Sequence, residues 1–186
     1  MRETATARLT ATAARLFQER GLSRVGINEI IREAEVARMS LYNNFSSKGD
    51  LALAAYAEVS KTRQEAVDAA IRVAAGPADA ILAIFDLAAD LAGKPSFRGC
   101  AFIDLAAHAG TGDEPLTDLV RSHKRAMRER FERLARGLGD PAPAILARQL
   151  LALWDGALVG AFIERDVAPV LAARAAAAKL VAREDR

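Results

Sequence analysis

The chain contains few residues of several types, and each shortage excludes a class of protein. A single cysteine, Cys100, among 186 residues excludes an internal disulfide framework and a cysteine-rich metal site. It is compatible with a reducing cytoplasm, and we predict a small buried thiol, the alternative being a sensor of oxidants or electrophiles. The chain has only two histidines, and we expect His123, which follows Arg121 and precedes Lys124, to lie on the solvated surface.

Long apolar runs and catalytic motifs are also missing. No stretch of about 18 uncharged apolar residues occurs, and the N-terminus shows no apolar core of a secretory signal, so we expect a cytoplasmic protein that does not span a membrane. Neither a His-Glu-x-x-His motif, nor a Gly-x-x-x-x-Gly-Lys phosphate loop, nor a dinucleotide glycine motif is present. We therefore expect no catalytic residue, no metal site and no cofactor.

Residues that favour helices dominate what is present. Aromatic residues make up 5 % of the chain, and β-branched runs of alternating polarity are missing, whereas alanine, leucine, arginine and glutamate are abundant. Apolar side chains recur at i, i+3, i+4 and i+7 or i+8 between glycine and proline breaks. We predict an all-α protein of about nine helices, spanning roughly residues 4–20, 27–34, 38–45, 47–75, 77–92, 99–109, 115–138, 140–165 and 167–183.

The charge is distributed unevenly along the chain. The net charge is +2, but residues 1–48 hold eight Lys/Arg and five Asp/Glu, a net of +3, which leaves −1 for the rest. A modestly basic head on a neutral body suits a small DNA footprint. The sequence predicts a three-helix head at 1–48 and a larger helical body at 49–186, with no flexible linker between them.

Residues 34–48 carry the most informative pattern of the chain. One short apolar-striped helix ends at Ala34, and a second starts three residues later that is too short to be stable alone. Leu41 and Phe45, at i and i+4, belong to the core, so the polar side chains of this helix face outward. The segment is a helix–tight turn–helix, in which the second helix can lie in the major groove of DNA while the first braces it.

The outward side chains of the second helix suit contacts with DNA. Asparagine pairs bidentately with adenine and arginine with guanine, while Tyr42 and Lys48 can reach phosphates at the flanks. The predicted DNA-contacting residues are Arg38, Met39, Ser40, Tyr42, Asn43, Asn44 and Lys48. For Asn43 and Asn44 the alternative is a solvated position at the helix end, and such a helix pair also occurs as plain packing in all-α proteins.

A series of spaced residues in the head matches the pattern of a known family. In chain order they are Ala13, Leu16, Phe17, Gly21, Ile30, Ile31, Leu41, Tyr42, Phe45, Lys48 and Leu51. Residues 9–52 thereby resemble the DNA-binding domain of the TetR-like (tetracycline-repressor) family, in which the turn is followed by Leu-Tyr-x-x-Phe-x-x-Lys-x-x-Leu. A less specific resemblance joins Arg98–Phe102 to a segment of some members.

Three positions depart from the family pattern. The family usually has glycine in the turn, where this chain has Glu35, and a non-glycine residue at positive φ costs energy. Gly26 lacks the hydroxyl of the usual Ser or Thr cap on the second helix, which removes one phosphate contact. Met39 replaces a small residue, so the approach to the DNA backbone differs there.

The resemblance implies a function for both parts of the chain. It implies a homodimeric repressor that binds a pseudo-palindromic DNA operator through residues 1–48 and is released by a small-molecule inducer. Residues 49–186 would then bind an apolar or amphipathic effector and dimerise, with helices eight and nine of two subunits forming a four-helix bundle. A constitutive or activating regulator, or an all-α enzyme whose head is incidental, remains an alternative.

Two sets of body residues are candidates for these roles. Pockets pair apolar walls with a few polar anchors, so the predicted pocket consists of Phe85, Phe102, Asp104, His108, Met127, Phe131 and Trp154. For each apolar member taken alone, an ordinary core position is the favoured alternative, and for His108 the alternative is a structural histidine. Small residues on the eighth helix let another helix approach closely, and the predicted dimer interface is Leu153, Gly156, Ala157, Gly160 and Ala161. Close packing within the monomer is the alternative.

Overall fold

The computed structural model describes residues 4–108 and 114–182, apart from the side chain of His108. No strand occurs in these residues, so the predicted all-α class is confirmed. A 3₁₀ turn at Leu22–Arg24 follows the first helix. The helices are α1 Ala5–Arg20, α2 Ile27–Glu33, α3 Arg38–Asn44, α4 Lys48–Val73, α5 Pro77–Ala92, α6 Ala101–His108, α7 Glu114–Gly137, α8 Pro143–Glu164 and α9 Ala168–Val181.

The described residues form two compact units. Unit 1 contains residues 4–62, 101–108 and 114–122, and unit 2 contains residues 63–100 and 123–182. Helices α4 and α7 therefore contribute residues to both units. This division concerns packing, whereas the predicted boundary at residue 48 concerns DNA binding and stays a prediction.

The core of unit 1 is built by the apolar faces that the sequence periodicity predicts. Helix α1 packs on both α2 and α3. The side chains that meet there are buried: Leu9, Ala13, Leu16, Phe17, Ile30, Leu41 and Phe45. The Phe17 ring stacks on Tyr56 at a centroid distance of 5.9 Å, and Tyr56 meets the Phe102 ring edge-on at 6.2 Å. The predicted convergence of three short helices on one core is confirmed.

Local capping signals explain where the helices of the head begin and end. The Thr4 side chain accepts a hydrogen bond from the Ala7 amide and starts α1. Gly21 ends α1 at φ 83°, a conformation that L side chains rarely adopt. Ser47 Oγ accepts from the Asp50 amide at 3.0 Å, which confirms the predicted cap of α4.

In unit 2, packed helices are joined by side-chain ion pairs as well. Helices α5, α8 and α9 pack on one another, and their apolar faces are buried. The Arg130 guanidinium donates two hydrogen bonds to the Asp68 carboxylate, at 2.8 and 2.6 Å, and lowers the pKa of that carboxyl. Arg174 makes a similar two-bond pair with Asp86, so α9 is fixed to α5 by charge as well as by packing.

Helix α8 has the length and composition of a membrane-crossing helix. It alone passes that test among the described helices, and 33 % of its apolar window is buried. The core helices of soluble proteins have the same length and composition. The helix contains Arg148 and Asp155, and Asp155 forms an ion pair with Lys124.

The prediction that His123 is solvated is wrong. Its residue is only 6 % exposed, because it lies on the same buried face of α7 as Val120 and Met127. The charged neighbours in sequence suggested a surface position, but they project from other sides of the helix. Burial, and then the nearby charges of Lys124, Arg63 and Arg130, lower the pKa of the imidazole to about 3.

The depressed pKa of His123 makes folding pH-dependent. The unfolded chain takes up the proton first, so the contribution is complete above the unfolded pKa of about 6.5 and is lost as pH falls towards 3. We expect the free energy of unfolding to drop by about 2 kcal/mol between pH 7.5 and pH 5. In His123→Gln this drop should shrink, as measured by chemical denaturation. Equal slopes in both proteins between these pH values would contradict the assignment.

Candidate nucleic-acid interface

Helix α3 is short and is held in place by its apolar side. It has seven residues, and its N-cap residue, Ala37, makes no side-chain capping bond. Leu41 and Phe45 are buried against the rest of the head, as the i, i+4 spacing predicts. A helix this short is not stable alone in water, so its orientation depends on these contacts.

The opposite side of α3 is exposed and carries most of the predicted DNA-contacting residues. We call it the α3 surface, and its exposed members are Arg38, Met39, Tyr42, Asn43 and Asn44. Met39 is 66 % exposed and Tyr42 45 %, high values for apolar and aromatic side chains. The Arg38 guanidinium lies 5.8 Å from the centroid of the Tyr42 ring, a cation–π distance. The surface therefore combines a cation, amides and an apolar side chain, as base-edge contacts require.

Two predicted residues are less accessible than this group. Ser40 is half-buried on α3. Lys48, the first residue of α4, donates from Nζ to the Leu22 carbonyl at 2.7 Å, and burial lowers its pKa. An ammonium group has three N–H donors, so Lys48 can still donate to a phosphate while it holds the 3₁₀ turn. Sequence reasoning missed this internal bond.

Asn44 is also engaged inside the head. Its Oδ1 accepts from Thr6 Oγ1 at 2.6 Å, and its Nδ2 donates to the Ser40 carbonyl at 2.6 Å. Asn43 has no side-chain hydrogen bond among the described residues. The two adjacent amides are thus placed differently, although the sequence treats them alike.

The turn before α3 places a non-glycine residue at positive φ, the strained backbone geometry considered in the sequence analysis for Glu35. Glu35 has φ 50°, the left-handed region that the family's usual glycine tolerates. Its carboxylate receives a hydrogen bond from Arg8 of α1 at 3.2 Å and is otherwise exposed. Gly26 at the N-cap of α2 makes no side-chain bond, as its lack of a hydroxyl dictates.

The predicted pocket residues fall into separate groups. In unit 2 the Phe85 ring lies 6.3 Å from Phe131 and 6.1 Å from Trp154, and Met127 is buried. In unit 1 Phe102 contacts Tyr56, as described above.

The two predicted polar anchors lie on α6, in unit 1. A β-carbon at position 21 would lie 3.4 Å from Asp104 Oδ2, so that carboxylate faces the corner where α1 ends. The side chain of His108 lies outside the described residues. No group of three or more potential metal ligands occurs in the described part of the chain.

The small residues of α8 have different surroundings. Ala157 and Ala161 are buried inside unit 2. A β-carbon at position 160 would lie 3.0 Å from Cβ of Pro169, so Gly160 permits the close approach of α9 in the same chain. Gly156 is exposed with open space beside it, and Leu153 is half-buried.

Sequence reasoning missed an exposed apolar stripe on α8. Ile145, Ala152, Gly156 and Ile163 recur at i, i+7, i+11 and i+18, which places them on one side of the helix, and all four are exposed. Leu171 and Ala175 of α9 are exposed as well. The spacing of these four residues can be read from the sequence, but the prediction relied on the pairs Gly156/Gly160 and Ala157/Ala161 instead.

Cys100 is buried, which confirms the prediction of a buried thiol. The Lys124 ammonium lies 3.5 Å from its Sγ and also pairs with Asp155. The thiol therefore belongs to the polar contacts that connect α7 with α8.

Comparison with known proteins identifies relatives of the chain. The family model of bacterial regulatory proteins, tetR family, matches residues 9–55. The crystal structure of SCO4454, a TetR-family transcriptional regulator from Streptomyces coelicolor, is 30 % identical, with a TM-score of 0.88 over 96 % of each chain. A TetR transcriptional regulator from Chloroflexus aurantiacus shares the fold at 24 % identity, with a TM-score of 0.83 over 95 % of this chain and 93 % of that one.

A curated relative is similar over most of its length. YxaF of Bacillus subtilis, an uncharacterized HTH-type transcriptional regulator, is 25 % identical over 164 residues, which cover 86 % of each chain. The relatives thus extend the similarity from the head to nearly the whole chain.

The left-handed turn predicts a stabilising substitution. Glu35→Gly should raise the free energy of unfolding by about 1 kcal/mol, because relief of the backbone strain exceeds the loss of an exposed ion pair. Ala11→Gly, at an exposed position inside α1, should lower it by about 1 kcal/mol. Chemical denaturation measures both changes, and a loss of stability in Glu35→Gly would show that the turn is not strained.

Proposed function

Because the chain belongs to the TetR family of bacterial regulatory proteins, we propose that it is a homodimeric repressor that a small-molecule effector releases from a pseudo-palindromic operator. Membership makes it a DNA-binding transcriptional regulator and not an enzyme. In this proposal residues 1–48 bind the operator, residues 49–186 bind the effector and dimerise, and the protein acts in the cytoplasm, where bacterial DNA lies.

The observation that carries the DNA-binding proposal is the α3 surface. Asn43 and Arg38 are proposed to read base edges, since both are exposed and both have bidentate partners among the bases. Met39 is proposed to contact a thymine methyl group. Tyr42, Ser40 and Lys48 are proposed to hold phosphates and so to fix the position of the head on the duplex.

The apolar stripe on α8 supports a dimer. Exposed Ile145 and Ile163, together with Leu171 of α9, offer apolar surface that a second copy of the chain would cover. The small residues Ala152 and Gly156 between them would let two helices approach closely. A twofold-symmetric dimer would carry two α3 helices, which is why a pseudo-palindromic operator is proposed.

The effector is proposed to be an apolar or amphipathic small molecule. Phe85, Met127, Phe131 and Trp154 in unit 2 are the part of the predicted pocket that we retain, because Asp104 faces Gly21 instead. A modest difference in effector affinity between the DNA-binding state and the released state is enough to release DNA. A tenfold loss of operator affinity requires about 1.4 kcal/mol of differential effector binding between the two states.

Selection from a pool of random duplexes tests the reading of DNA by α3. The wild-type chain should enrich a pseudo-palindrome, with binding that weakens as salt rises. Asn43→Ala should relax one base pair in each half-site, because a bidentate contact contributes about 1–3 kcal/mol of discrimination. Tyr42→Phe should weaken binding to all sequences alike.

The matched control is Lys61→Ala on the exposed side of α4, which should change neither affinity nor selectivity. Unchanged selectivity in Asn43→Ala would refute its reading role. Failure of the wild-type chain to enrich any sequence would refute the proposed function. An enriched operator that no apolar effector releases would instead favour the constitutive regulator.

A substitution at Gly156 tests the dimer. Gly156→Arg places a charge in open space on the apolar stripe without disturbing unit 2, so we expect monomers in analytical ultracentrifugation and a steep loss of operator binding. Asp90→Arg, an exposed charge change on α5, should remain dimeric. A stable dimer in Gly156→Arg would place the interface elsewhere. Gly160→Leu is a poorer probe, since it would also collide with Pro169.

A further inference from the structure

Two residues near the start of α1 hold the segments on either side of α3. Thr6 donates to Asn44, the last residue of α3, at 2.6 Å. Arg8 donates to Glu35, in the turn before α3, at 3.2 Å. We call these four side chains the α1 latch. Since Thr6 and Arg8 are two residues apart, a single turn of α1 fixes both the entry and the exit of the reading helix.

The bonds of Asn44 conflict with a role in reading bases. Bidentate pairing with adenine uses the amide oxygen and the amide nitrogen together. In Asn44 the oxygen already accepts from Thr6, and the nitrogen already donates to the Ser40 carbonyl. The oxygen keeps a second lone pair and the nitrogen a second N–H, but the two bonds fix the orientation of the amide, so Asn44 cannot turn towards a base without breaking them. Asn43 carries no such bond among the described residues.

The second contact of the latch has an electrostatic consequence. The Glu35 carboxylate is 85 % exposed and sits in the turn that leads into α3. Near DNA an unpaired carboxylate would repel phosphates. The Arg8 guanidinium pairs with it at 3.2 Å, so the charge introduced at the position of the family's glycine is balanced within the head.

The latch should matter more for DNA binding than for folding. Its bonds are exposed in the free head, where water competes and such bonds contribute little to stability. Seating α3 in a groove would remove water from these bonds and strengthen them. Small changes in melting temperature should therefore accompany larger changes in operator affinity.

We infer that Thr6 and Asn44 are positioning residues that orient α3 for DNA, and that Asn44 reads no base. The inference rests on the proposed operator binding. It replaces the expectation that Asn43 and Asn44 act alike: Asn43 specifies a base pair, and Asn44 sets the angle at which the whole α3 surface meets the groove.

The test compares Thr6→Val, which keeps the shape but loses the hydroxyl, with Thr6→Ser, which keeps the hydroxyl. Thr6→Val and Asn44→Ala should each weaken binding about three- to tenfold, by the same factor on the selected operator and on each of its single-base variants. Thr6→Ser should rescue binding to near the wild-type level. The double variant Thr6→Val/Asn44→Ala should be no weaker than Asn44→Ala alone, since Asn44→Ala already removes the bond to Thr6.

A second measurement works without DNA. In the free protein, Thr6→Val should raise the hydrogen-exchange rates of the α3 amides about as much as Asn44→Ala does, with little change in the melting temperature. If the wild-type chain selects no DNA, the proposed function fails and this measurement alone decides whether the latch exists.

Three results would overturn the inference. One is wild-type operator affinity in Thr6→Val, and another is a loss of selectivity at a single base pair in Asn44→Ala. The third is unchanged exchange of the α3 amides in both variants. In the second case Asn44 would be a reading residue and its bonds in the free head would be broken on binding.

Discussion

A helix of seven residues does not stay folded in water by itself, and α3, the part of this protein proposed to read DNA, is such a helix. The placement of α3 therefore depends on what holds it. Leu41 and Phe45 anchor its inner side in the core of the head, while α1 adds hydrogen bonds from Thr6 and Arg8 to the residues around it. The α3 surface is only as well oriented as these contacts allow, and substitutions outside it should alter DNA binding.

Much of the fold follows from local patterns in the sequence. The helices begin and end within a few residues of their predicted bounds, because apolar periodicity and glycine or proline breaks are short-range signals. The bond from Thr6 to Asn44 spans 38 residues and that from Lys48 to Leu22 spans 26, and no periodicity records them. The charged residues next to His123 in sequence predict a surface position, whereas its position on the buried face of α7 determines its exposure.

The body shows the same limit of sequence reasoning. The spacing of Gly156 and Gly160 indicates that some helix approaches α8 closely, but it does not say which helix. Gly160 leaves room for Pro169 of α9 in the same chain. Gly156 faces open space, which a second copy of the chain could occupy. Likewise the predicted pocket set mixed side chains of two units, and only geometry separates Phe85, Phe131 and Trp154 from the side chains around Phe102. Small residues permit close helix approach and aromatic residues can line a pocket, but only tertiary contacts show which of these residues lie together.

In the proposed complex, two copies of α3 enter the major groove on one side of the duplex. Methylation interference on the selected operator tests it most directly, because guanine N7 is exposed only in the major groove. The account predicts that N7 methylation blocks binding in two clusters whose centres lie about 10 base pairs, or a multiple of one helical turn, apart. Binding that is insensitive to N7 methylation, or a single cluster without a symmetric partner, would contradict it.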